Sequence, residues 1–283
     1  MNDGRSTSAA MIESLVAGRF GCTGIPAPVL ERIIGRPYIT DITGRSRSCV
    51  FIFDDMVLKV QRRNEETDNE AAMLVWLRGK LSVPECLAYE LKDGIAYTLE
   101  TRMPGRMLCD GEIMQDPDRA VSIAAEGLKR LQAIDISGCP YTVSRLESRL
   151  KAARRRVEAG LVDMDDAEPE TWKMFRGPED LLRWLENSRP DEDLVMTHGD
   201  YCMPNIFTDG KETSGFIDLG KCGPADRWQD IAIGYRSLRD NFGGAYTGRA
   251  VRPGFRAEEL TDLLGIRVDE SKLKYYLLLD ELF

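Results

Sequence analysis

Residues 193–220, DLVMTHGDYCMPNIFTDGKETSGFIDLG, restrict what this chain can be more than any other segment. An apolar run leads into His198, Gly199 and Asp200; Asn205 follows Pro204; a second apolar run ends on Asp218. Residues 194–197 and 205–208 read as short strands around a tight loop. Residues 209–211 read as a turn, and residues 215–217 as a third strand delivering Asp218. A carboxylate, an amide and a second carboxylate then converge at one edge of a small sheet. That set suits phosphoryl transfer: Asp200 orients and deprotonates a hydroxyl, while Asn205 and Asp218 hold Mg²⁺.

A single Asp in a loop is ordinarily a turn or capping residue, so the spacing carries the inference. The five-residue step from Asp200 to Asn205 is that of a kinase catalytic loop, with Asp as base and Asn on the metal. His198, the one histidine, reads as a support for the loop, since the base role already has an occupant. Cys202 reads as a passive thiol.

With 283 residues, 43% apolar and 30% charged, the chain has the makings of an ordinary globular protein of one or two domains. No apolar run is long enough to span a bilayer, and the first ten residues contain no apolar signal region. Seven cysteines without a CxxC pair read as reduced thiols, so the expected compartment is the cytoplasm. The net charge of −9 disfavours nucleic acid as a partner and suits a cationic ligand. The expectation is a monomer or weak dimer with neither a membrane nor a nucleic-acid partner.

Taken in order, residues 11–20 have helical spacing, and residues 33–42, 49–53 and 56–60 read as strands. The Gly/Ser-rich turn at 43–48 and the strand bearing Lys59 form a phosphate-covering arrangement. Ser46, Ser48 and the turn amides meet phosphate oxygens, and Lys59 supplies a point charge. A helix over 67–80 carries Glu70, which either pairs with Lys59 or complements the helix dipole. Residues 82–90 and 94–101 complete a five-stranded antiparallel sheet. The break at 102–105 (Arg-Met-Pro-Gly) reads as a hinge. Helices follow at 118–134, 143–159, 178–187, 226–242, 257–264 and 270–282. Residues 163–170 form an acidic loop, and the Gly- and Arg-rich stretch 243–256 reads as a mobile loop. The class is α+β: an N-terminal nucleotide-binding lobe at 1–101, a hinge at 102–105 and a mostly helical catalytic and substrate lobe at 106–283.

The segments THGDYCMPN, GFIDLG, ADRWQDIA and MLVWLRGKLSVPE, residues 35–60 and the closing YYLLLDELF resemble the aminoglycoside phosphotransferases. The resemblance is to their 3′ class, the kanamycin kinases, and covers nearly the whole chain. It implies a bilobal, protein-kinase-like fold with ATP between the lobes. Lys59 would contact the α/β-phosphates and pair with Glu70, Ser46 would lie in the nucleotide loop, and the backbone at Thr101 and Met103 would meet adenine. Asp200 would be the catalytic base, with Asn205 and Asp218 as Mg²⁺ ligands. Aminoglycoside would bind at Glu168, Glu170, Arg236, Asp240, Asp280, Glu281 and the Phe283 carboxylate. The implied reaction is ATP- and Mg²⁺-dependent phosphorylation of the drug at its 3′-hydroxyl, inactivating it and giving resistance. GTP stays open as donor. So do another hydroxylated metabolite as acceptor and an inactive ATP-binding module. The chain departs from the family pattern at Val57, where a relative stacks an aromatic ring on adenine, at Lys221 and at Asn241. Arg249, Arg252 and Arg256 fall in what looks like an insertion at 243–256.

Overall fold

Every second residue of Met56–Arg62 through Val60 is buried on one side (Met56, Leu58, Val60), and Ile95, Tyr97 and Leu99 repeat the period in Ile95–Thr101. Such alternation makes sheets with one face on a core. In the computed structural model, which describes residues 9–41, 48–165 and 167–283, the chain divides into two units, Met1–Met103 and Pro104–Phe283.

In the first unit, helices α1 (Ala9–Phe20) and α2 (Ala27–Ile33) precede strands β1 (Ile39–Asp41), β2 (Cys49–Ile52) and β3 (Met56–Arg62). Helix α3 (Glu65–Leu77) follows, then β4 (Cys86–Lys92) and β5 (Ile95–Thr101). Among the described residues these five strands form one antiparallel sheet in the order β1-β2-β3-β5-β4. Phe51, Leu58, Val60, Tyr97 and Leu99 join Ile12 and Val16 of α1 and Val29 and Ile33 of α2 in one buried cluster. Lys59, Thr98 and Glu100 alternate onto the opposite face, with Lys59 opposite Thr98 and Val57 opposite Glu100. Asn64 caps α3: its side chain accepts the Thr67 N–H at 2.9 Å, and the Thr67 hydroxyl accepts the Asn64 N–H at 3.1 Å.

The strand read over residues 33–42 is shorter than expected, because α2 occupies residues 27–33. Pro28 lies in the first turn of α2, where a missing N–H costs nothing, and Val29 and Ile33, four apart, both reach the core.

The second unit contains β6 (Arg106–Met107), α4 (Pro117–Gln132), α5 (Leu146–Glu158), α6 (Pro169–Met174), α7 (Pro178–Asn187) and β7 (Leu194–Thr197). It continues with β8 (Ile206–Thr208), β9 (Thr213–Phe216), β10 (Gly223–Asp226), α8 (Arg227–Gly243), α9 (Ala257–Leu264) and α10 (Glu270–Asp280). The expectation of one small sheet is corrected here. β7 pairs with β10, Thr197 opposite Gly223, whereas β8 lies between β6 and β9 in a separate sheet. Asp226 caps α8 through the Trp228 N–H at 2.8 Å.

The stretch 243–256 is tied down rather than loose. Arg252 pairs with Asp118 of α4 at 2.6 Å and with Glu259 of α9, and buried Phe255 meets Phe242 edge-on at 5.3 Å. All seven cysteines are free thiols. Among the described residues no helix is long and apolar enough to cross a membrane.

Candidate active site

The loop after β7 is held from behind by two buried groups. The His198 ring is fully buried; its Nε2 lies 2.8 Å from the Ile217 carbonyl, and its Nδ1 accepts the Asp200 N–H at 3.3 Å. Those partners place the ring proton on Nε2. Burial lowers the affinity of His198 for a second proton, although Asp200 and the Ile217 carbonyl pull the other way. The Asp230 carboxylate, in the first turn of α8, accepts the backbone N–H of His198 at 2.6 Å and of Gly199 at 2.9 Å. Burial pushes Asp230 up to about 7 against those two donors.

Gly199 has φ +81°, and a Cβ there would stand 2.0 Å from the Lys221 carbonyl oxygen. Only glycine fits a left-handed backbone pressed this closely on a neighbouring strand connection. From that support Asp200 projects, half-buried. Asn205 Nδ2 donates to the Asp200 carbonyl at 3.0 Å, and the Asn205 carbonyl accepts the Ile217 N–H at 3.1 Å. Asp218, next in the chain, is itself left-handed with φ 59°. Backbone bonds and His198 thus bring Asp200, Asn205 and Asp218 into one constellation. Behind it the buried Tyr201 hydroxyl donates to the Ala124 carbonyl at 2.7 Å. Burial raises the Cys202 thiol well above its ordinary range, so it stays protonated.

In the first unit, Lys59 on β3 places its Nζ 2.7 Å from Glu70 of α3 and 3.2 Å from Glu100 of β5, with all three side chains buried. Ser46 lies outside the described residues. At the end of β5 the Thr101 N–H is given to the Glu85 carbonyl at 3.0 Å and the Arg102 N–H to the Asp55 carbonyl at 2.9 Å; Met103 is buried.

The remaining candidates gather around α6, α8 and α10. Arg236 pairs with Asp280 and, at 3.3 Å, with Glu281, whose other oxygen accepts the Glu168 N–H at 3.2 Å. Arg239 joins Glu168 at 2.5 Å to Asp240 at 2.8 Å. Burial alone would raise Asp280, but Arg236, Lys221 and Arg149 hold it below the usual carboxylate range. Burial pushes Glu281 up to about 7. Glu170 is exposed and pairs with Lys173 at 2.9 Å. The Phe283 ring lies 3.9 Å from the Arg149 guanidinium, and an oxygen of the Phe283 carboxylate accepts Arg156 Nη2 at 2.6 Å.

Sequence reasoning missed Asp230, Glu100 and Arg239. Two of them carried a signal: an acid closing the apolar strand IAYTLE, and an acid beside the inward Ile231 and Ala232 of α8. A charged residue on a buried face needs a partner and therefore a reason.

A family model described as "Phosphotransferase enzyme family" matches residues 41–264. An aminoglycoside 3′-phosphotransferase of Enterococcus faecalis is 40% identical over 220 residues, 77% of this chain and 79% of that protein. One from Streptomyces fradiae is 34% identical over 229 residues, 77% of this chain and 80% of that protein. Among solved structures, an aminoglycoside-3′-phosphotransferase of type VIII superposes with a TM-score of 0.73 at 28% identity, covering 89% of this chain and 96% of that one. With 77% of the chain matched at 40% identity, and the motif residues held as described, this chain belongs to the phosphotransferase enzyme family and, within it, to the aminoglycoside 3′-phosphotransferases.

Proposed function

We propose that the protein transfers the γ-phosphoryl of ATP to the 3′-hydroxyl of an aminoglycoside and so inactivates the drug. The observation that carries this reading is the loop from Asp200 to Asn205, closed on itself by the Asn205 side chain at 3.0 Å, in a chain of this family. Asp200 accepts the proton of the attacking hydroxyl and orients its lone pair. Its backbone is fixed by His198 Nδ1, and the preceding Gly199 by Asp230, so the carboxylate is positioned before substrate arrives.

Asn205 spends its Nδ2 on the Asp200 carbonyl, which leaves its side-chain oxygen for a ligand, and its backbone carbonyl holds Ile217, the residue before Asp218. Two hard oxygen donors of this kind fit Mg²⁺. When bound, the ion would neutralise charge on the phosphate oxygens. Lys59, held by Glu70, supplies a cation for the α/β-phosphates. Because the Thr101 N–H is already engaged, Thr101 would offer its carbonyl to the base edge and Met103 its N–H.

The acceptor reading rests on charge. Glu168, Glu170, Asp240 and Glu281 supply carboxylates on α6, α8 and the end of α10, the chemistry that attracts a polyamine. The test is kanamycin-dependent ADP release by the wild type and by Asp200→Ala. Turnover should fall by about 10²–10⁴ in the variant, with ATP binding retained. Unchanged turnover removes Asp200 from the mechanism, and no release by the wild type removes the acceptor.

A further inference from the structure

A cavity of about 270 Å³ opens among α6, α8 and α10, and Glu168, Glu170, Tyr235, Arg239 and Glu281 all line it. Three carboxylates and one guanidinium among these meet there, yet the two arginines of this face are not equivalent. Arg236 does not line the cavity; it braces Asp280 and Glu281 from behind, with 21% of its side chain exposed. Arg239 stands in the cavity wall with 31% exposed, its Nε on Asp240 and its Nη2 on Glu168, and its guanidinium 5.8 Å from the Tyr235 ring.

A substrate ammonium seeking Glu168 therefore meets a carboxylate that is already paired. A guanidinium making one bond to each of two carboxylates is a strong competitor, because its fork loses little entropy per bond. An incoming amine gains only the difference between its own pairing and the one it displaces.

We propose that Arg239 is a tethered cation that occupies an ammonium subsite between Glu168 and Asp240, so that the acceptor binds by displacing it and its amine pattern is selected by that exchange. This deepens the proposed function and rests on it for the identity of the amine-bearing acceptor. The inference assigns Arg239 a specificity role opposite to that of a ligand-binding residue: it weakens the binding of every amine and leaves tight binding to those that replace it at both carboxylates.

The test compares wild type, Arg239→Lys and Arg239→Gln in steady-state kinetics with kanamycin at low and high salt. Lysine keeps the charge but holds one carboxylate at a time, and glutamine removes the charge. The KM for kanamycin should fall in the order wild type, Lys, Gln, by about three- to tenfold overall at low salt. The gain should shrink at high salt, and the KM for ATP should stay in place. A rise in KM with Arg239→Gln, or the reverse order, overturns the proposal and makes Arg239 a direct ligand contact. Unchanged values overturn it in favour of a brace for α8. If wild type releases no ADP with kanamycin, the acceptor reading fails. Calorimetric titration of kanamycin into the same three proteins then reads the inference separately: tighter binding by the Gln variant sustains displacement, and weaker or equal binding ends it.

Discussion

The Asp230 carboxylate accepts the Gly199 N–H at 2.9 Å, which ties the first turn of α8 to the residue preceding the catalytic Asp candidate. The second carboxylate oxygen takes the His198 N–H, so both oxygens are committed to the loop. Asparagine has one side-chain oxygen where aspartate has two. Asp230→Asn therefore leaves one buried N–H without its acceptor, at a cost of about 1–3 kcal/mol. The pH dependence has a definite sign. Burial raises Asp230 from 3.8 to about 7, so between those values the folded protein holds a proton the unfolded chain has released. This stabilisation is complete below the unfolded value and is lost as pH rises through about 7. Denaturant titrations at several pH values should show that slope in wild type and a flatter profile in Asp230→Asn. Equal slopes would remove Asp230 as its source.

Gly199→Ala tests the same support sterically. The left-handed backbone at φ +81° costs an L-residue about 1–2 kcal/mol, and the new Cβ would overlap the Lys221 carbonyl at 2.0 Å. Backbone, not a flexible side chain, must then yield. The variant should lose more than about 3 kcal/mol of stability. Any protein that folds should show kcat reduced by about tenfold or more, since misplacement of a reacting group is costly. Thermal unfolding with a kinetic assay of the folded fraction reads both effects, and a variant with wild-type kcat would show that Asp200 does not depend on this turn.

The local signals in the chain reveal some of this arrangement and hide the rest. The strand bearing Lys59, the capped α8 and the helix Pro178–Asn187 follow from period, cap and turn residues, which act within a few positions. The pairing of β7 with β10 does not follow, because Gly223–Asp226 begins Gly-Pro and offers no alternation to read. Helix α6 was hidden by its six-residue length inside an acidic stretch. In the site, the Asp200-to-Asn205 spacing was visible because it is a property of adjacent residues. Asp230 and Glu100 act through partners about thirty or more positions away in the chain, which spacing cannot express. Arg236, a cation among the carboxylates expected at the acceptor site, pairs with Asp280 and Glu281 and so orders them.

Glu281 should make acceptor binding depend on pH. Burial raises its carboxyl to about 7, while Arg236 and the Glu168 N–H pull it down. Below that value it is largely neutral and attracts a cation weakly; above it the charge is restored. Kanamycin affinity measured by calorimetry should therefore strengthen as pH rises from about 6 to 8, by several-fold if one close charge is gained. Glu281→Gln should bind less tightly at the upper end and flatten the rise. A variant retaining the full rise would place the titrating group elsewhere.

Lys59 has a second carboxylate to fall back on. Its Nζ is 2.7 Å from Glu70 and 3.2 Å from Glu100, all buried. Breaking a buried pair normally costs about 3–5 kcal/mol because a charge is left uncompensated. Here Glu70→Gln leaves Lys59 still paired with Glu100, so the loss should be smaller, about 1–3 kcal/mol, with the KM for ATP raised because the ammonium is drawn toward β5. Glu100→Gln should cost less again, since the shorter contact to Glu70 survives. The two losses should not add: the double variant takes both carboxylates from the ammonium, and its destabilisation should exceed the sum of the singles by about 1 kcal/mol or more. A double-mutant cycle by denaturant unfolding measures this directly, and strict additivity would show that the two carboxylates do not substitute for one another at Lys59.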